Sequence, residues 1–184
     1  RCRPLGLFIE EFHDMFQGDF HFLEDSHCFI QWLFPLYVAS GMNYRAEKLG
    51  HEEAAIMRRD SKVAERIVKS YQTMLEFYGF CLVDTKTGRI EPLSDGTLRE
   101  ERFFNLNHSF HNNLRITRII TSLGHLGFRR YRKPLIEALE KYIGSDESPG
   151  PLHHCKTSLE DFWKPLLDSS TEWYSRKTQE TIQD

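Results

Sequence analysis

The chain has 184 residues, of which 28% are charged and 13% aromatic, and its formal net charge at pH 7 is -3. This length suits one compact domain, and 14 phenylalanines exclude the aromatic-poor composition of disordered chains. Its apolar runs fall short of the roughly 20 residues that span a bilayer, so we expect no transmembrane helix.

The charges are segregated along the chain. Residues 4–44 carry six acidic side chains and no Lys or Arg, whereas residues 102–133 carry seven basic side chains and no Asp or Glu. A basic stretch of that length is typical of proteins that bind nucleic acid or anionic membranes. The acidic stretch offers an alternative, two complementary or solvated faces within one protein, and we favour this alternative.

Two helices are predicted in the acidic stretch. Apolar residues at helical spacing predict the first over residues 7–16, with an inner face of Phe8, Ile9, Phe12, Met15 and Phe16. A second helix is expected to begin at Asp25 or Ser26, either of which can cap it, and to end at Phe34 because Pro35 disfavours helix before it. Its apolar residues point nearly all round, which is typical of a buried helix.

The middle of the chain predicts one long helix and a hairpin. The long helix is preceded by an irregular connection over residues 36–50 and a short helix over 51–59. Asp60 or Ser61 then caps a helix whose apolar residues keep the 3.6-residue period, and Gly79 is a natural stop. Short apolar segments at 81–83 and 89–90 flank a turn at 84–88, which predicts a small β-hairpin.

The basic stretch predicts further helices. A short one over 102–110 turns Phe103, Leu106 and Phe110 inward, and a long one runs from a cap at Asn112 or Asn113 to about Gly127. The apolar face of the long helix is expected to consist of Ile116, Ile119, Ile120, Leu123 and Leu126. A second face of that helix is expected to consist of His111, Arg115, Arg118, Ser122, His125 and Arg129.

The end of the chain predicts a helix over 131–143, a surface linker over 144–156 and a last helical segment over 157–184. Ser158 is expected to cap that segment, whose apolar residues are Leu159, Phe162, Trp163, Leu166, Trp173 and Tyr174. The fold class that follows is all-α, a single compact multi-helix domain with at most one small β-hairpin.

No catalytic signature is present, neither a phosphate-binding loop nor a dinucleotide-binding, zinc-protease or hydrolase motif. We therefore expect a protein that is not an enzyme and needs no cofactor. The four cysteines, Cys2, Cys28, Cys81 and Cys155, are scattered and are expected to be free thiols. No metal site is expected either, because the cluster at 153–155 lacks a second ligand pair at suitable spacing.

Three stretches of the sequence resemble the motifs of the opioid growth factor receptor family. The first is LEDSHCFIQWLFPL over residues 23–36, and the second is YxxMLxFYG over 71–79. The third combines RFxNLN at 102–107, HNNLRITRI at 111–119 and SLGHLG at 122–127. They occur in the family's order and cover roughly residues 7–143, whereas the end of the chain diverges from the family's last helices.

The resemblance implies a mostly α-helical intracellular domain that is not a seven-helix receptor. Members of the family are described as binding the pentapeptide Met-enkephalin and restraining cell proliferation. They are associated with the nucleus and, as peripheral proteins, with the nuclear envelope, and a cytoplasmic location is an alternative. The family also contains a receptor-like branch, and the sequence assigns this chain to neither branch. No catalytic residues are carried over.

Three hypotheses for function remain open. The first is a binding module for a short peptide, held in a groove where the acidic and basic stretches approach each other. In it, the charged ends of the peptide meet Glu24 or Asp25 and Arg115 or Arg118, and its rings pack on Trp32 and Tyr78. The second is a nucleic-acid or chromatin-associated module that uses residues 111–133 against phosphates. The third is a scaffold for protein partners.

The candidate site centres on the start of the long helix. Asn112 and Asn113 exceed the needs of one cap, so one of them is expected to have another role. Cations are disfavoured near a helix N-terminus, so we expect Arg115 or Arg118 to pair with a carboxylate of Glu10, Glu11, Asp14, Glu24 or Asp25. The functional alternative places one guanidinium at the mouth of a pocket. The candidate ligand-binding residues are His108, His111, Asn112, Asn113, Arg115, Arg118, Glu24 and Asp25.

Overall fold

The computed structural model of the chain describes residues 5–41 and 43–168. Within these residues, α-helices pack around one hydrophobic core, and the sheet consists of two strands. The predicted all-α class with one small hairpin is confirmed. Cys2, Trp173, Tyr174 and the end of the predicted last segment lie outside the described residues.

The acidic stretch forms three short helices, α1 (Ile9–Phe16), α2 (Phe20–Asp25) and α3 (Ile30–Leu33). The helix predicted from Asp25 or Ser26 to Phe34 is observed only as α3, so its predicted start is wrong, whereas its end before Pro35 agrees with the prediction. The chain forms a further helix, α2, which Asp19 caps by accepting from the Phe22 N–H at 2.9 Å, and Asp25 is the last residue of this helix. Gly18, at φ +80°, turns the chain between α1 and α2.

The inner face of α1 is also narrower than predicted. Phe12 and His13 are buried, but Phe8 and Met15 are 49% and 59% exposed. The buried His13 ring lies 2.9 Å from the Ser70 hydroxyl, which ties α1 to the long helix that follows.

The middle of the chain follows the prediction closely. An irregular connection leads to α4 (His51–Met57), and Asp60 caps α5 (Ser61–Phe77) by accepting from the N–H groups of residues 62 and 63. Gly79 ends the helix at φ +90°, and a Cβ there would lie 2.8 Å from the Phe103 ring. The antiparallel strands β1 (Phe80–Asp84) and β2 (Arg89–Pro92) form the predicted hairpin.

The next two helices are α6 (Gly96–His108) and α7 (His111–His125). α6 begins earlier than predicted because Asp95 caps it, and Phe110 is 66% exposed rather than inward. Neither Asn112 nor Asn113 caps α7. Both lie in its first turn, where their main-chain N–H groups already bond the carbonyl groups of residues 109 and 110. The predicted apolar face of α7 is buried in the core.

The last described helices close the fold. A 3-10 turn (Arg129–Tyr131) leads to α8 (Arg132–Ile143), and a second one (His153–Cys155) precedes α9 (Lys156–Ser158). A π-helical turn (Leu159–Trp163) and α10 (Pro165–Asp168) follow. Ser158 is therefore inside a helical run and is not a cap. Trp163 is buried and donates to the Thr117 hydroxyl at 3.0 Å, whereas Phe162 is 39% exposed.

Among the described residues, Cys81 and Cys155 are free thiols, as predicted. Cys155 is fully buried, and the predicted linker over 144–156 therefore ends before this residue. Burial raises the pKa of the Cys155 thiol to about 12, so it stays protonated and serves as a small apolar side chain.

Candidate functional site

The start of α7 packs against the end of α2 through a partly buried polar cluster. We call this cluster the α2–α7 latch, and its members are Glu24, Asn105, His111, Asn112 and Arg115. Arg115 is 5% exposed, and its guanidinium donates to the main-chain carbonyls of Leu23 at 2.7 Å and Ser26 at 2.7 Å. The C-terminal carbonyls of a helix lack partners within it, so one guanidinium serves here as the cap of α2.

Glu24 is the acidic centre of the latch. Its carboxylate accepts from the side-chain amides of Asn105 at 2.8 Å and Asn112 at 3.0 Å, and it lies 3.2 Å from the His111 ring. Burial alone would raise the pKa of Glu24, but the amide hydrogen bonds outweigh it and the pKa lies below its ordinary value. Burial and the charge of Arg115 lower the pKa of His111. At neutral pH the latch therefore holds a charged Glu24 beside a neutral His111.

The predicted pairing of an arginine with a carboxylate is wrong for Arg115. Its guanidinium bonds the carbonyls at the end of α2, the third being that of Glu24 at 3.3 Å, and the Asn112 side-chain oxygen at 3.1 Å. The Glu24 carboxylate instead accepts hydrogen bonds from the side-chain amides of Asn105 and Asn112. The expectation that one Asn has a further role is confirmed, because Asn112 bridges Glu24 and Arg115.

The other candidate residues lie apart from the latch. Asp25 is exposed and pairs with His21 at 3.1 Å, and Arg118 donates to the Phe34 carbonyl at 3.1 Å. His108 stacks on the exposed Phe104 ring, and Asn113 accepts from the Cys155 thiol at 3.4 Å. The structure thus brings together Glu24, His111, Asn112 and Arg115, and it separates the rest. A ligand-binding role for the candidate residues stays a prediction.

The basic stretch does not form one exposed face. Arg115 and Arg132 are 5% and 7% exposed, and each points into a different part of the fold. A strip of phosphates that ran along residues 111–133 would not reach either guanidinium. This burial counts against the nucleic-acid hypothesis in the form in which the sequence suggested it.

A groove opens on the other side of α1. It has a volume of about 410 Å³, and its lining includes Phe8, Glu10, Trp32 and Arg66. We call it the α1–α3 groove. Arg66 of α5 donates from Nε to the Glu10 carboxylate at 2.5 Å, and both side chains are about half exposed at the rim. Sequence reasoning named Trp32 but missed Arg66, because no linear pattern links residues 56 positions apart.

The aromatic residues named for a ligand have different environments. Trp32 is partly exposed and lines the α1–α3 groove. Tyr78 is 2% exposed and belongs to the core, so its ring does not line a surface groove as the peptide hypothesis expected.

In the described part of the chain, no three His, Cys, Asp or Glu side chains converge as a metal site requires. Over the same residues, none of the helices combines the length and the apolar run needed to cross a bilayer.

The chain is similar to proteins of known family. A family model described as the "Opioid growth factor receptor (OGFr) conserved region" matches residues 1–163. The opioid growth factor receptor of Homo sapiens is 40% identical over 151 residues, which are 82% of this chain and 22% of that protein. The opioid growth factor receptor-like protein 1 of Mus musculus is 41% identical over 135 residues, 73% of this chain and 28% of that protein.

A third relative, the opioid growth factor receptor of Rattus norvegicus, is 42% identical over 134 residues, 73% of this chain and 22% of that protein. The chain therefore spans between 22% and 28% of the length of these curated relatives. No solved structure matches the chain.

Proposed function

This chain belongs to the opioid growth factor receptor family, and on that premise we propose that it is a receptor module that binds a short aromatic peptide of the Met-enkephalin type in the α1–α3 groove. Restraint of cell proliferation and a location in the nucleus or at its envelope are part of the same proposal, and they rest on the family alone.

The observation that carries the proposal is the pairing of an aromatic groove with two opposite charges. Phe8 is 49% exposed, and Trp32 is partly exposed beside it. Aromatic side chains at a concave surface bury large apolar area at a small entropy cost, which suits the rings of a peptide. The volume of about 410 Å³ falls in the range of small-ligand pockets.

The rim supplies the polar part of the recognition. A short peptide has an ammonium at one end and a carboxylate at the other, and Glu10 and Arg66 are their complements. These two side chains pair with each other at 53% and 40% exposure. An exposed pair of this kind contributes little to stability, so exchanging it for two contacts with a zwitterionic peptide costs little.

Calorimetry with Met-enkephalin tests the proposal. We expect saturable binding, and we expect about tenfold weaker binding when the peptide is N-acetylated or C-amidated, since each modification removes one end charge. No heat at high micromolar peptide contradicts the proposal. Equal binding of all forms of the peptide contradicts the role of the rim.

Variants assign each end of the peptide to a residue. Glu10→Gln should weaken the unmodified peptide and leave the N-acetylated one unaffected, and Arg66→Gln should do the same with the C-amidated one. Glu91→Gln is the matched control, because Glu91 pairs with Arg89 at similar exposure on the distant hairpin. Equal effects of Glu10→Gln and Glu91→Gln would mean that the charges act only at long range.

A further inference from the structure

The C-terminal end of α7 gathers basic side chains, and two of them are buried without a hydrogen-bond partner. Arg132 is 7% exposed and His125 is 3% exposed. The Arg132 Nε and both ring nitrogens of His125 are buried and have no partner among the described residues. Arg58 and Arg129 lie nearby and are exposed. We call these four residues the α7 basic cluster.

Neighbouring groups hold the cluster in place. The Arg132 guanidinium rests against Gly124, where a Cβ would lie 3.1 Å from Nη1. The His125 ring stacks on Tyr37 with centroids 4.0 Å apart. Arg58 crosses Gly127 and donates to the His125 carbonyl at 2.7 Å. The donors are therefore positioned before any ligand arrives, which lowers the entropy cost of binding.

The charges in the cluster have one sign. Burial and then the charges of Arg132, His51 and Arg58 lower the pKa of His125 to about 4. Burial and then the charge of Arg129 lower the pKa of Arg132. Between residues 5 and 168, apart from 42, no carboxylate forms a salt bridge with Arg58, Arg129 or Arg132.

The helix end offsets part of this charge. The partial negative charge at the C-terminus of α7 favours cations, and Arg58 uses it through the His125 carbonyl. Arg132 makes no comparable bond within the described chain. A buried guanidinium without an acceptor is costly, and a bound anion removes that cost.

We propose that the α7 basic cluster is a binding site for a phosphate monoester, with the terminal guanidinium nitrogens of Arg132 as its inner donors, His125 in its wall and Arg58 and Arg129 at its rim. The guanidinium fork matches the oxygens of a tetrahedral anion. A terminal phosphate presents three unesterified oxygens, whereas a phosphodiester within a nucleic-acid strand presents two and is flanked by a sugar on each side, so a monoester suits a mostly buried guanidinium better.

Thermal unfolding with inorganic phosphate is the first test. At about 10 mM phosphate near neutral pH, we expect a saturable rise in Tm of several degrees over sodium chloride of equal ionic strength. Sulfate, which is also tetrahedral and dianionic, should act in the same direction. Equal Tm values in phosphate and chloride overturn the proposal.

Variants then locate the site. Arg132→Met should abolish the phosphate-dependent shift, whereas Lys133→Met should keep it, since Lys133 is exposed and faces Glu137 instead. If Arg132→Met does not fold, the exposed Arg129→Gln serves, and it should weaken phosphate binding by about tenfold. An unchanged phosphate response in both cluster variants overturns the assignment.

The source of the phosphate is the last question. Phosphoserine and a 5′-phosphorylated oligonucleotide both carry a monoester, whereas the same oligonucleotide without its terminal phosphate carries only diesters. We expect calorimetry to show binding of the first two and at least tenfold weaker binding of the third. Equal binding of both oligonucleotides shows recognition of the diester backbone and overturns the monoester assignment.

Discussion

An arginine is buried at each end of α7, and the two arginines have opposite surroundings. Arg115, at the start, is 5% exposed and its guanidinium bonds three main-chain carbonyls and one amide oxygen. Arg132, packed against the other end, is 7% exposed and has no such acceptor in the described chain. The acceptors around a buried charge, and not its burial, therefore separate a structural residue from a candidate for binding.

The difference has a simple structural cause. The start of α7 meets the end of α2, where the carbonyls of a helix terminus need donors. The end of α7 meets Arg58, which already donates to the His125 carbonyl. The Arg115 guanidinium therefore has its acceptors within the chain, whereas the Arg132 guanidinium is available to an external acceptor.

Arg115→Ala should have the largest effect on the free energy of unfolding. It leaves three carbonyls at the end of α2 without their donor, and we expect a loss of about 3 to 5 kcal/mol. Urea denaturation measures it, with the exposed Arg89→Ala as the control. A loss below about 1 kcal/mol would show that α2 does not depend on this cap, and it would return Arg115 to the ligand-binding candidates.

The pH dependence of stability tests the other end. The pKa of His125 is about 4 in the folded chain and lies near its ordinary value of 6.5 in the unfolded chain. The unfolded state therefore binds more protons between these values. The free energy of unfolding should be constant above about pH 6.5 and should fall as the pH drops toward 4. This histidine alone should lower it by up to about 3 kcal/mol.

His125→Phe isolates that contribution, because the ring stack with Tyr37 is kept and the titrating group is removed. His13, whose pKa burial also lowers to about 4, adds a loss of the same sign in both proteins. Denaturant midpoints measured from pH 7 to 4 should therefore fall less steeply in the variant. Identical slopes would show that His125 titrates normally and is not enclosed by the cluster.

Arg132→Met should have the opposite sign from Arg115→Ala. It replaces a buried charge that has no acceptor with an apolar side chain of similar length, and we expect a gain of about 1 to 2 kcal/mol in phosphate-free buffer. The same chemical denaturation measures it. A loss as large as that of Arg115→Ala would mean that both arginines are structural, and the contrast between the two ends would disappear.

Periodicity made most of the helices predictable. The apolar faces of α5 and α7 and the hairpin between Phe80 and Pro92 follow from local patterns, and the structure agrees with them. The helix starts were less accessible. Asp19, Asp25, Ser26 and Asp95 are all acceptable caps in sequence, and the structure uses Asp19 and Asp95.

The partners of the charged residues were not predictable at all. Arg115 bonds main-chain carbonyls about 90 positions away, and a carbonyl has no sequence signature. Charge segregation suggested a carboxylate partner instead. The Glu10–Arg66 pair of the groove likewise depends on packing between helices that are distant in the chain. The Arg132–Gly124 contact depends on how α8 folds back onto α7, which no side-chain pattern specifies.

The smallest effect that we predict is also the most specific for the cluster. Gly124 lies in the interior of α7, where Ala is favoured over Gly by about 0.5 to 1 kcal/mol. A Cβ there would lie 3.1 Å from Arg132 Nη1, so the guanidinium must yield and the gain should be nearly cancelled. With Arg132→Met in place, the obstacle is removed and Gly124→Ala should show the full gain. A double-mutant cycle compares the gain from Gly124→Ala in the presence of Arg132 with the gain in the Arg132→Met background. The difference between these two gains should be larger in phosphate, because a bound anion holds the guanidinium where the new methyl group must go. An equal gain in both backgrounds would mean that the guanidinium does not rest on Gly124, and the inner wall of the proposed site would lose its geometric basis.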